Sequence, residues 1–161
     1  MNPYWLIVNS CALIVISYSF VVASLKTFEE LDCWKKASQL RRNLSELVSK
    51  FPSDEKYRLV DQIIRASRSV TANIAEGFGR FHYKEYAQYC RQARGSLYEL
   101  IDHLIVADES HLISHEDCQN FKNQISDCIT VLNGFINYLL KAKEQGRVEE
   151  PELEYQLTNN D

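Results

Sequence analysis

The chain has little of the material from which turns are made: 161 residues include five glycines and three prolines. Glycine and proline are the strongest punctuators of local structure. A sequence so poor in both excludes a fold built from many short elements and loops. It favours a few long helices joined by short connections, in one domain large enough to bury a core.

Cysteine is also used in a way that excludes two classes of protein. The five cysteines are an odd number, and no C-x-x-C pair occurs. A disulfide framework and a zinc ribbon are therefore both disfavoured. Three of the five, Cys90, Cys118 and Cys128, fall on apolar stripes described below, and we expect buried, reduced thiols of the kind found in cytosolic proteins.

Charged side chains are absent from residues 1–25, and the first one is Lys26. Because about 20 apolar residues can cross a bilayer as a helix, the membrane is a candidate partner of the chain through residues 4–25. The lysines and arginines that follow would then keep the rest of the chain in the cytoplasm. Residues 1–26 have three further interpretations: an extension upstream of the true start, a packed structural arm, or a signal peptide lacking the usual basic start.

The remaining sequence carries four apolar stripes at helical spacing. The first predicted helix opens with a capping-box pattern at Thr27 and Glu30 and stops before Pro52. Ser53 and Ser114 are predicted to cap the second and fourth helices, and Gly77 and Gly79 to end the second. The stripes are Cys33, Ala37, Leu40, Leu44 and Leu47; Leu59, Ile63, Ala66, Val70 and Ile74; Tyr86, Cys90, Ala93, Leu97, Leu100, Leu104 and Ala107; and Cys118, Phe121, Ile125, Cys128, Leu132, Phe135 and Leu139.

These stripes predict an all-α fold, an antiparallel up-down-up-down four-helix bundle over residues 27–143. The third and fourth helices carry more apolar residues than one bundle can bury, and self-association is the simplest way to cover the excess. The predicted oligomer interface consists of Tyr98, Ile101, Ile105, Ile129, Ile136 and Leu140.

Charge is distributed unevenly along the chain. The net charge of −4 argues against a generic polyanion binder. Between Arg41 and Arg94, however, eleven basic residues stand against six acidic ones, while residues 144–161 carry six acids and one arginine. The middle of the chain is therefore mildly basic, and residues 144–161 are expected to form an acidic, flexible tail.

Three segments make the chain similar to a known family: FEELDCWKKA, FPSDEKYRLVDQIIRASRSVTANIAEGFGR and YCRQARGSLYELIDHLI. Over residues 27–142 it resembles the bacterial four-helix bundle proteins encoded in intervening sequences of large-subunit ribosomal RNA genes. The resemblance implies a ring-like homopentamer without enzymatic activity. It also implies kinship with the accessory variability determinant of diversity-generating retroelements, which binds nucleic acid and a reverse transcriptase. Residues 1–25 lie outside the family pattern, which favours the upstream-extension interpretation.

Polar residues and glycines inside the helical pattern are the candidate site. We interpret Asn73, Glu76, Gly77, Gly95 and Glu99 as a structural network between the second and third helices or across a subunit boundary. The small Gly95 would allow a neighbouring helix to approach closely. The competing interpretation is a nucleic-acid surface, whose residues are Arg65, Arg68, Arg80, Lys84, Arg91 and Arg94.

No pattern in the sequence predicts catalysis, a cofactor or a metal site. No nucleophile–base pair and no phosphate-binding loop is recognisable. His111 and His115 have a metal-ligand spacing, but the predicted cap Ser114 separates them. We expect a cytoplasmic, non-enzymatic homo-oligomeric assembly module, with the alternative of a nucleic-acid-binding accessory protein.

Overall fold

The computed structural model describes residues 26–80 and 82–144, and within them the regular structure is helical, with no strand. The four long helices are α1 (Asp32–Val48), α2 (Asp61–Phe78), α3 (Tyr83–Glu109) and α4 (His115–Glu144). The expectations for residues 1–25 and for most of the acidic tail lie outside the described residues. In the described ranges, no helix has both the length and the apolar character needed to cross a membrane.

The helices form a four-helix bundle, as the stripes predict, because the connections between them are too short for any but antiparallel neighbours. Side-chain hydrogen bonds join each adjacent pair of helices. These bonds are Arg41 to Thr71 at 2.7 Å, Ser69 to Ser96 at 2.9 Å, Arg94 to Asn133 at 2.7 Å and Asn43 to Gln124 at 2.8 Å. The helices therefore surround the core in chain order.

The predicted stripes meet in the centre of the bundle. Every stripe residue except the half-buried Leu47 is buried. Burial of each leucine or isoleucine stabilises the fold by about 1.5–3 kcal/mol relative to an exposed side chain. The hydrophobic periodicity therefore identifies the core almost completely.

Two helix starts differ from the prediction. Thr27 does cap a helix, but only the 3-10 turn Phe28–Glu30, where its hydroxyl accepts from the Glu29 N–H at 3.0 Å. Leu31 is then extended and reaches into the core before α1 begins. The second helix opens with a 3-10 turn at Ser53–Glu55 and a π-helical turn at Lys56–Val60 before α2.

Aromatic rings close the end of the bundle where α1 begins and α2 ends. Edge-on pairs run from Trp34 to Phe28 at 5.3 Å, from Phe28 to Phe78 at 6.4 Å, from Phe78 to Tyr86 at 6.3 Å and from Tyr86 to Phe135 at 5.1 Å. Such edge-on pairs add to the stabilisation from burial alone. Phe78 and Tyr86 therefore pack at the closed end of the bundle.

Candidate assembly surface and polar network

Asn73 lies in a polar contact between α2 and α3. Its side-chain amide donates to the Ser69 carbonyl at 2.9 Å and to the Ser69 hydroxyl at 3.1 Å, and that hydroxyl lies 2.9 Å from the Ser96 hydroxyl. All three groups are neutral and at least half-buried. This contact between α2 and α3 is thus built from hydroxyl and amide groups, and Asn73 is the member of the predicted network that takes part in it.

Glu76 forms an ion pair with Arg80, four residues further along the chain. The Arg80 guanidinium donates to its carboxylate at 2.8 Å, and the same guanidinium lies 5.3 Å from the centre of the Tyr89 ring. Hydrogen bonds from Arg80 and then Tyr89 lower the pKa of Glu76. This pair lies on the exposed side of the α2–α3 contact and brings the end of α2 against the first turns of α3.

Gly77 is required by close packing. A Cβ at this position would overlap with Cδ2 of the Tyr86 ring and would lie 2.8 Å from Cε2 of the same ring. It would also lie 3.0 Å from the Tyr89 Cβ. The helix continues through Gly77 to Phe78, and Gly79 at the cap has an ordinary right-handed φ of −76°. Gly77 therefore serves a tight α2–α3 approach and does not terminate the helix.

Gly95 and Glu99 do not join the α2–α3 network within the subunit. Gly95 is exposed, and an added Cβ there would meet nothing within 4 Å. Glu99 lies 3.6 Å from His103, one turn along α3. Any close helix approach at Gly95 would have to come from another molecule.

The six basic residues proposed for nucleic acid lie on different sides of the bundle. Arg80 stands beside Tyr89 on the α2–α3 side, whereas Arg94 hydrogen-bonds Asn133 on the α3–α4 side. Arg65 and Arg80 are paired with Asp61 and Glu76. The exposed side chains of Arg68, Lys84 and Arg91 have no ion pair among the described residues. The structure thus brings no continuous basic surface together from this set.

The predicted interface residues form a group along the outer side of the α3–α4 contact. Tyr98 is 58% exposed and Ile105 37%, while Ile101, Ile129 and Leu140 are half-buried. The Arg94–Asn133 hydrogen bond crosses the middle of this strip. We refer to Arg94, Tyr98, Ile101, Ile105, Ile129, Asn133 and Leu140 as the α3–α4 face.

Ile136 is a correction to that set. It is 4% exposed and packs in the core of its own subunit. Its side chain follows the buried Leu132 by one turn and adjoins the buried Phe135, so it packs against the core of the bundle. It is not available to a neighbouring molecule.

The buried thiols are chemically quiet. Burial raises the pKa of Cys33 to about 12 and that of Cys128 to about 11, and it raises the pKa of Cys90 as well. A thiol reacts as its thiolate, so these cysteines are poor nucleophiles near neutral pH. Among the described residues, no group of three histidine, cysteine or carboxylate side chains could hold a metal ion.

Sequence reasoning missed the polar side of α1. Arg41 bonds to Ser38 and Thr71, and Arg42 bonds to Ser38 and Gln39. A signal was present, since residues 33–45 and 62–75 contain six basic residues and no acid. These two stretches come together only because α1 packs against α2, and the sequence of either helix alone does not show that packing.

Comparison with known proteins places this fold. A family model described as 23S rRNA-intervening sequence protein matches residues 29–134. The bundle is similar to the crystal structure of a protein of unknown function from the S23 ribosomal protein family of Bacteroides thetaiotaomicron. That likeness has a TM-score of 0.61 at 18% identity and covers 65% of this chain and 95% of the other, so it supports the fold alone. No curated protein matches the chain.

Proposed function

The chain belongs to the 23S rRNA-intervening sequence protein family, and from that membership we propose that it is a non-enzymatic module that assembles with copies of itself. The observation that carries the proposal is the α3–α4 face. Tyr98 and Ile105 expose apolar surface beside three half-buried aliphatic side chains on two neighbouring helices. An apolar strip bordered by polar residues is typical of a protein interaction site.

The composition of the strip favours a specific contact. Tyrosine is enriched at interfaces because it offers a large rigid ring and one polar group. A hydrogen-bonded polar pair, Arg94 and Asn133, lies among the apolar side chains and can fix the orientation of a partner. Gly95 adds open space on α3, where a helix from a second subunit could approach without meeting a Cβ.

The experiment is a mass measurement by native mass spectrometry and light scattering after size exclusion. We expect the full chain to be an oligomer, with five subunits the number implied by family resemblance, and Tyr98→Asp and Ile105→Asp to shift it toward monomer. Tyr57→Asp is the matched control, because Tyr57 is 83% exposed and lies outside the α3–α4 face. A wild-type chain that is monomeric at micromolar concentration contradicts the proposal, as does equal dissociation in the Tyr57 variant.

Nucleic-acid binding is a second candidate for this family member. The observation in its favour is that the exposed Arg68, Lys84 and Arg91 carry no ion pair among the described residues. Phosphate contacts release counterions, so affinity for RNA or DNA should fall steeply as salt rises. Filter binding over a salt series tests this. Absence of binding at low salt, or binding that ignores salt, would eliminate it.

A further inference from the structure

We propose that Arg41, Arg42 and Arg68 form a binding site for a phosphate group on the α1–α2 side of the bundle. This site lies on helices away from the α3–α4 face. The inference does not rest on self-assembly, and of the six basic residues proposed from the sequence it uses only Arg68.

The first observation is that two guanidinium groups are held side by side by one neutral oxygen. Arg42 Nη1 donates to the Ser38 hydroxyl at 3.0 Å, and Arg41 Nη2 donates to the same oxygen at 3.4 Å. Arg41 Nη1 also donates to the Thr71 hydroxyl of α2 at 2.7 Å. The side chain of Arg41 is half-buried, whereas Arg42 is exposed.

The second observation is the missing countercharge. Among the described residues, the hydrogen bonds of Arg41 and Arg42 go to hydroxyl and amide oxygens, and neither arginine has a carboxylate partner. The nearest acid along α1 is the exposed Glu46, and it forms no ion pair with them. Two like charges side by side without a counter-ion repel one another, and an anion bound between them would remove that repulsion.

Arg68 supplies a third charge on the side of α2 that carries Thr71. It precedes Thr71 by three residues on α2, which places the two side chains on neighbouring turns of one helix side. The Thr71 hydroxyl donates back to the Arg68 carbonyl at 3.1 Å, so Thr71 is fixed while it accepts from Arg41. Arg68 is exposed and has no ion pair in the described part of the chain.

The chemistry of three guanidinium groups favours phosphate over carboxylate. One arginine fork satisfies a carboxylate with two parallel hydrogen bonds. A phosphate has more oxygens and, as a monoester, more charge, so it can accept from several arginines at once. Each guanidinium group has five N–H donors, and Arg41 and Arg42 each use only two nitrogens in the contacts above.

The test is titration of the full chain with inorganic phosphate at constant ionic strength, followed by ³¹P NMR and calorimetry. We expect saturable binding that weakens about tenfold in Arg42→Gln and in Arg68→Gln, because each removes a charge-assisted hydrogen bond. Arg65→Gln is the matched control: it removes an arginine from the same stretch of α2, but that arginine is paired with Asp61.

A second arm uses single-stranded RNA followed by fluorescence anisotropy, to identify the source of the phosphate. RNA binding that falls in Arg42→Gln and Arg68→Gln but not in Arg65→Gln supports the site and assigns it to a nucleic-acid backbone. Binding of phosphate alone supports it and assigns a free or small phosphorylated ligand.

Absence of binding in both arms, or equal loss in Arg65→Gln, overturns the site. Arg41→Gln removes a half-buried side chain, so circular dichroism checks its fold. If that variant does not fold, the exposed Arg42 and Arg68 decide the outcome. Loss of oligomer in the earlier experiment would leave this result unaffected, because the α3–α4 face contains none of these residues.

Discussion

At the residue scale, two helical glycines meet different surroundings. Gly77 touches the Tyr86 ring, which is itself held between Phe78 and Phe135. Gly95 faces open space. Alanine should therefore be harmful at one position and helpful at the other.

We expect Gly77→Ala to lower the free energy of unfolding by about 1–2 kcal/mol, because the strain of an overpacked site exceeds the gain in helix propensity. Gly95→Ala should raise the stability of the subunit by about 0.5–1 kcal/mol, since alanine is the better helix former and meets no neighbour. Urea unfolding followed by circular dichroism measures both.

Gly134→Ala is the control for this pair of variants, as Gly134 also lies exposed within a helix and has nothing within 4 Å. It should behave like Gly95→Ala in the isolated subunit. A stabilising Gly77→Ala would show that the α2–α3 approach is looser than described. An oligomer lost in Gly95→Ala alone would place Gly95 at a subunit contact.

The buried cysteines give a second prediction at this scale. At pH 8, iodoacetamide should label Cys33 and Cys128 in the native protein about 100-fold or more slowly than in urea, because burial raises the pKa of Cys33 to about 12 and that of Cys128 to about 11. Peptide mass spectrometry resolves the positions, and the urea-unfolded chain is the reference. Rapid native labelling of Cys33 would mean that the start of α1 opens readily.

The sign of the pH dependence follows from the same shifts. A thiol whose pKa is higher in the folded than in the unfolded state contributes fully below the unfolded value and loses that contribution as pH rises toward the folded one. For Cys33 this window runs from the ordinary thiol pKa of 9.0 to about 12. Stability should therefore decline at alkaline pH, before the native thiols themselves ionise.

At the scale of the helix, α4 begins with the Ser114 cap that its sequence predicts. The Ser114 hydroxyl accepts from the Asp117 N–H at 3.0 Å and donates to the Asp117 carboxylate at 2.7 Å. We expect Ser114→Ala to cost about 1 kcal/mol, because the first turn of α4 would lose the acceptor for one unpaired N–H. Differential scanning calorimetry measures the loss.

Ser126→Ala serves as the control for that substitution. Ser126 is exposed in the same helix and its hydroxyl caps nothing, so its replacement should change stability by no more than about 0.5 kcal/mol. Equal losses in both variants would show that the cap contributes nothing specific.

The helices also show where sequence reasoning succeeds and where it stops. Stripes such as Leu97, Leu100 and Leu104 are a local property, and period alone identifies them as buried. The start of α1 is not local, because Leu31 leaves helical geometry in order to bury its side chain against the rest of the bundle. The π-helical turn at Lys56–Val60 has no recognisable pattern in its five residues.

At the scale of the whole molecule, the candidate sites depend on which helices are neighbours. Two contacts show this: the Ser69 hydroxyl meets the Ser96 hydroxyl between α2 and α3, and Arg41 donates to Thr71 between α1 and α2. Each depends on how two helices are aligned with one another, which the sequence of one helix does not reveal. The α3–α4 face was more accessible to prediction, because surplus apolar residues show within each helix. Of the predicted interface residues, Ile136 is buried within the subunit, and the role of the other five in assembly stays a prediction.

Ile129 and Ile136 can separate folding from assembly, because they lie seven residues apart on α4 but face different surroundings. Ile136 is in the core, so Ile136→Ala should lower the free energy of unfolding of the subunit by about 2–4 kcal/mol through the cavity it leaves. Ile129 is half-buried at the edge of the α3–α4 face. Ile129→Asp should therefore dissociate the oligomer, mainly because it places a charge where an apolar contact between subunits is proposed.

The two quantities are measured on the same samples, by urea unfolding below the dissociation concentration and by native mass spectrometry above it. Ile136→Ala should keep its oligomer until it unfolds, whereas Ile129→Asp should be monomeric at concentrations where the wild type is assembled. If Ile129→Asp remains fully assembled, the subunits meet elsewhere than at this face. If Ile136→Ala dissociates while its subunit stability is unchanged, Ile136 contacts a partner after all, and its burial within one subunit does not describe the assembled protein.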